Sequence, residues 1–139
     1  MTWGAEGPVG AHVPVLQLGD VLLVTLQGEL HDKAAEQLQQ DIGEAIAGSS
    51  AAGVVIDVSG VEIVDSFLGR VFAEIAANAR LLAAETVVAG MRPAVAITLV
   101  ELGLTLPGLR TALDADEALR MLTQASTPLS GPPGRQENA

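Results

Sequence analysis

The sequence predicts an α/β domain built on a mixed, mostly parallel β-sheet covered by about four α-helices. Three observations carry that expectation. Val54-Val55-Ile56 and Thr86–Ala89 are short β-branched runs, too brief for helices and without the polar alternation of a strand wet on one face. Apolar residues at helical spacing fill the intervals around them, as in Leu38, Ile42 and Ile46 or Leu68, Val71, Phe72 and Ile75. The resulting order, β-β-α-β-α-β-α-(β)-α, implies an opening hairpin followed by crossovers between parallel strands.

Taken in order, residues 1–11 hold three glycines, one proline and no periodicity, and are expected to form a flexible tail. Val13–Leu18 and Val21–Leu26 read as strands joined by Gly19-Asp20, which suits a II′-type turn. Pro14 lacks an N–H, so the first strand belongs at a sheet edge. Asp32 is placed to cap a helix to about Ala47, with Ala35, Leu38, Ile42, Ala45 and Ile46 facing inward. Residues 48–53 read as a loop, and Val54–Ile56 as the central strand, broken at Ser59-Gly60. The next helix starts at Asp65-Ser66, and Thr86–Ala89 follows as a strand closed by Gly90. Pro93 fits the first turn of a short helix and Gly103 the position beyond its end. That helix is nearly all apolar, so it should be either buried or docked on a partner. Leu109–Leu113 reads as a brief last strand. Asp114 and Glu117 resemble a capping box for a final helix through Leu122. A single domain is therefore expected over 12–123, with 124–139, rich in Pro, Gly and Ser, a disordered tail.

The chain has 139 residues, enough for one core and too few for two. It is 49% apolar, yet no uninterrupted run approaches the ~18 residues of a membrane helix, and the N-terminus lacks signal-peptide character. A soluble cytoplasmic protein is expected. With no cysteine, disulfides, thiolate metal sites and cysteine catalysis are excluded. Seventeen acidic against seven basic residues give a net charge of −10, which argues against nucleic acid or an anionic membrane as partner and suits a basic protein surface.

Asp65-Ser66 is the most informative pair. Either side chain is placed to cap the helix that follows. A hydroxyl there lies near unpaired backbone N–H groups and the positive end of the helix dipole, where a phosphate is tolerated. Other chemistry fails on its requirements. His31-Asp32 resembles the metal pair of phosphohydrolases, but the only other histidine is His12. No GxGxxG or GxxxxGK[ST] spacing is present, and no Ser-His-Asp set has both a base and a nucleophile elbow. Asp57 ends a strand as the phospho-acceptor of receiver domains does. The acidic pair and the lysine that such a site needs are missing, since the sole lysine is Lys33. Asp57 reads instead as organising the turn toward Ser66 through backbone N–H groups. An enzyme is not expected.

Asp57-x-Ser59-Gly60-Val61-x-x-Val64-Asp65-Ser66 resembles the signature of the STAS domain, the family of sulfate transporters and anti-sigma factor antagonists. Leu22–Leu30 and Gly90–Leu104 resemble its stressosome scaffold branch, the RsbS type, and the likeness runs from about Val13 to Leu122. The resemblance implies a cofactor-free phospho-switch. Ser66 is its phospho-acceptor, Thr98 a secondary candidate, and Asp57, Ser59, Gly60 and Asp65 the support of the switch site. The implied partners are RsbR-like STAS scaffold proteins, an RsbT-like serine/threonine kinase held until Ser66 is phosphorylated, and an RsbX-like phosphatase. A homodimer within a larger assembly is implied as well. The alternatives are a simpler anti-sigma factor antagonist or a ligand- or phosphate-responsive regulatory module.

Overall fold

Gly19, at φ +63°, turns the chain between β1 (Val15–Leu18) and β2 (Val21–Gln27), pairing Leu18 with Val21. Asp20 keeps an ordinary negative φ, as the II′ turn requires. The protein is represented by a computed structural model that describes residues 13–103 and 109–126. The expected tail at 1–11, and 127–139 of the other, lie outside the described residues. After the hairpin come α1 (Asp32–Ser49), β3 (Gly53–Gly60), α2 (Ser66–Leu81), β4 (Glu85–Ala89), α3 (Pro93–Glu101), β5 (Leu109–Ala112) and α4 (Ala115–Ser126).

The strands pair in chain order, β1-β2-β3-β4-β5, antiparallel in the hairpin and parallel elsewhere. Right-handed crossovers that step in one direction put their helices on one face of the sheet. Leu22, Val24, Val54, Ile56 and Val88 accordingly pack with Leu38 and Ile42 of α1, Phe72 and Ile75 of α2, and Val95 and Leu99 of α3. Fully burying a side chain such as Phe72 contributes about 1.5–3 kcal/mol. The alternate residues Val21, Val55, Val87 and Ala89 face the other way, against Ala118 and Leu122 of α4. A Cβ on Gly53 would lie 2.7 Å from Leu122 Cδ1, so a bare backbone is what lets α4 sit this close. β1 is left at the edge, with Leu16 50% and Leu18 45% exposed.

Several boundaries differ from the expectation. α1 is entered through His31, whose side chain makes no cap bond, and Asp32 is the first helical residue. That helix runs through Gly48 to Ser49, into the expected loop, and closes on Ser50 in the left-handed conformation at φ 58°. β3 is not broken at Ser59-Gly60. It continues because a register shift between Thr25 and Gln27 brings Gln27 opposite Gly60. A Cβ on Gly60 would meet Gln27 Cγ at 3.0 Å, which explains glycine there. α4 continues to Ser126, so the domain edge placed at 123 falls inside a helix. Pro93 stands in the first turn of α3 and Gly103, at φ +72°, follows its C-cap Leu102. The capping box at Asp114 is a variant. Glu117 N–H donates to Asp114 Oδ1 at 2.8 Å, while Glu117 Oε1 accepts from Leu113 N–H, one residue before the cap.

Candidate functional site

The C-terminal end of β3 delivers the chain into a loop, 61–65, that ends at the start of α2. Val61 and Val64 are buried and tie that loop to the core, and Val61 N–H donates to Val58 O at 2.9 Å. Between and after these anchors, Glu62, Ile63, Asp65 and Ser66 point to solvent, Ile63 being 83% exposed. Asp65 is the N-cap: its backbone is extended and its Oδ1 accepts from Leu68 N–H at 3.0 Å. Ser66 is the first residue of α2, exposed, and its hydroxyl has no hydrogen bond among the described residues. The aspartate therefore neutralises a helix-end donor, and the serine one residue later is left available.

Neither Asp57 nor Ser59 is hydrogen-bonded to Ser66. Asp57 Oδ1 accepts both the backbone N–H of Ser59, at 2.9 Å, and its hydroxyl, at 2.8 Å. This local turn, held by both the N–H and the hydroxyl of Ser59, fixes the end of β3 just before the loop. Two residues not anticipated from the sequence complete the arrangement. Gly90 passes so near that a Cβ would stand 3.0 Å from Ser59 Cβ and 3.3 Å from Asp57 Oδ1. Its φ of +76° also favours glycine. Arg92, the N-cap residue of α3, donates from Nε to Ser59 O at 3.1 Å and lies 3.8 Å from Glu62 Oε2. The exposed ion pair contributes little energy, but together the two contacts tie α3 to the loop before Ser66. The resemblance of Gly90–Leu104 spans Arg92 without giving it a role; only the long-range contact to Ser59 reveals one.

Thr98 sits apart on α3, half-buried, and its Oγ1 donates to Ala94 O at 2.9 Å. Its hydroxyl is engaged by its own helix, as Ser66's is not. Beside Asp65 lies an open cleft of about 780 Å³ between the β2–α1 and β3–α2 loops. Glu29, Asp32, Glu62 and Asp65 border it, with His31 and Ile63. Among the described residues no group of three or more His, Cys, Asp or Glu is arranged to hold a metal. Nor is any helix there long and apolar enough to cross a membrane.

The STAS domain family model matches residues 12–118. Among solved structures, RsbS of Moorella thermoacetica, in a form with a serine replaced by glutamate, is 39% identical. That match covers 82% of this chain and 97% of that one at a TM-score of 0.73. A chain from the structure described as the molecular architecture of the stressosome, a signal integration and transduction hub, is 40% identical. It is matched over 83% of this chain and 100% of its own length, at a TM-score of 0.72. The RsbT co-antagonist protein RsbRD of Bacillus subtilis is 28% identical over 107 residues, 76% of this chain. This chain spans only 38% of that relative's length.

Proposed function

The chain belongs to the STAS domain family, and on that premise we propose that it is a non-catalytic phospho-switch scaffold of a stressosome, of the RsbS type. In this reading it works in the cytoplasm, packs as a homodimer with RsbR-like STAS proteins, and sequesters an RsbT-like serine/threonine kinase. Phosphorylation of Ser66 releases the kinase, and an RsbX-like phosphatase resets the switch. The observation that carries the proposal is the division of labour at the start of α2. Asp65 takes the capping bond, while Ser66 presents an unbonded, exposed hydroxyl beside unpaired helix-end N–H groups. Likeness to a stressosome chain over its whole length supports the assembly, and likeness to a co-antagonist of RsbT supports the kinase as partner.

Ile63, at the rim of the neighbouring cleft, offers a partner an apolar contact beside the neutral hydroxyl of Ser66. Asp57, Ser59, Gly60 and Arg92 hold the approach to the loop without a hydrogen bond to the hydroxyl, so they are positioning residues. Thr98 is a poorer acceptor, because a kinase must first break its bond to Ala94. Incubation with a cognate serine kinase and ATP, followed by mass-spectrometric mapping, should place one phosphate on Ser66. It should place none on the Ser66→Ala variant. Full-stoichiometry labelling of Ser66→Ala would reassign the acceptor.

A further inference from the structure

Ser66, Arg70 and Glu74 form a row at i, i+4 and i+8 along the exposed side of α2. Residues four apart on a helix are surface neighbours, their Cβ atoms ~6 Å apart. Arg70 makes no ion pair with any described carboxylate. This is unexpected from its surroundings, since Asp32 and Glu36 of α1 and Glu74 of α2 line the same shallow cleft as Arg70. Glu74 is occupied by another group: its Oε1 accepts from Gln39 Nε2 of α1 at 2.9 Å. The guanidinium one turn below Ser66 is thus uncommitted within an acid-rich surface.

We propose that Arg70 is the intramolecular counter-ion of phosphorylated Ser66, turning its guanidinium up the helix to pair with the phosphoryl oxygens. The inference rests on Ser66 being the acceptor. Three physical points favour it. A phosphoserine carries ~1.5–2 negative charges and three acceptor oxygens, so it outcompetes any single neighbouring carboxylate for a planar, multi-donor guanidinium. The acid lies N-terminal to the base at i, i+4, the orientation that agrees with the helix dipole. The pair also needs no backbone movement, because both side chains are already exposed on one stripe. Arg70 thereby becomes a positioning residue that fixes the phosphate against α2 instead of leaving it to swing in solvent.

The test installs phosphoserine at position 66 of the full chain by genetic encoding and follows its ³¹P resonance against pH at low salt. The carboxylates that face the site, Glu62 and Asp65 from the loop, Asp32 and Glu36 from α1 and Glu74 from α2, together with His31, are common to every variant. With Arg70 present, the midpoint should fall about half a pH unit below that of Arg70→Gln, roughly a threefold difference in proton affinity. Arg70→Lys should recover part of the shift, and ~1 M salt should shrink it. Unphosphorylated Arg70→Gln should melt as wild type does, separating the effect from a structural one. Equal midpoints in wild type and Arg70→Gln, or in wild type and Arg70→Lys together with no salt effect, would overturn the inference. Because the phosphate is encoded, a kinase that ignores Ser66 defeats the functional reading and leaves this measurement standing. An unmoved midpoint defeats only the counter-ion.

Discussion

Asp65 and Ser66 are chemically similar as helix caps, and from sequence either serves. Geometry separates them. Asp65 has the extended backbone of a cap and accepts from Leu68 N–H at 3.0 Å, whereas Ser66 is already helical. Alanine at the two positions should therefore act differently. Asp65→Ala loses the cap and should lower stability by about 1 kcal/mol, a drop of about 4 °C in melting temperature. Ser66→Ala removes a hydroxyl without a bond and should melt within about 1 °C of wild type. Thermal unfolding followed by circular dichroism decides this, and equal losses at both positions would mean the two share the cap. The pair itself was legible in the sequence because capping is local. Arg92 was not, since its partner Ser59 lies 33 residues away and only folding brings them together. Arg70 occupies the middle case: its spacing from Ser66 is visible in the sequence, but its lack of an ion pair is visible only once the neighbouring carboxylates are placed.

At the level of elements, what local rules govern was readable. The hairpin follows from Gly19, the start of α3 from Pro93 and its end from Gly103, each a backbone constraint of one residue. What depends on a neighbouring element was not. β3 runs past Ser59-Gly60 only because Gln27 of β2 pairs there, and α1 continues through Gly48 against ordinary propensity. The composition of α3 predicted burial or docking, and burial accounts for only part of its apolar surface. Val95 and Leu99 are buried, while Ile97 is 57% and Val100 75% exposed. An apolar strip on a nine-residue helix is a surface that self-association would cover. The double variant Ile97→Glu, Val100→Glu should keep its melting temperature within about 2 °C, because neither side chain supports the core. It should also shift sedimentation velocity toward the monomer. An unchanged distribution would move the contact to the exposed edge strand β1, where Leu16 and Leu18 remain uncovered.

For the molecule as a whole, charge is the quantity through which the proposed switch would act. The chain carries −10 before modification, and the surface around Ser66 already includes Asp65, Glu62 and the acidic border of the cleft. A partner that docks there meets a neutral serine within a negative rim. A further anion at Ser66 has two separable consequences. Inside the domain it is tolerated, since it lies at the start of α2, where the dipole and unpaired N–H groups favour negative charge. Across an interface it meets whatever packed against the hydroxyl, and its desolvation opposes binding. A loss of only about 1.4 kcal/mol weakens binding tenfold. Ser66→Asp should therefore melt at or slightly above wild type and bind the kinase at least about tenfold more weakly, while Ser66→Ala binds as wild type does. Calorimetric titration of all three proteins with the same kinase measures this. If Ser66→Asp bound as tightly as wild type while phosphorylated protein was released, charge alone would not be the switch. Release would then depend on the shape and doubled charge of the phosphoryl group, features that a carboxylate does not reproduce.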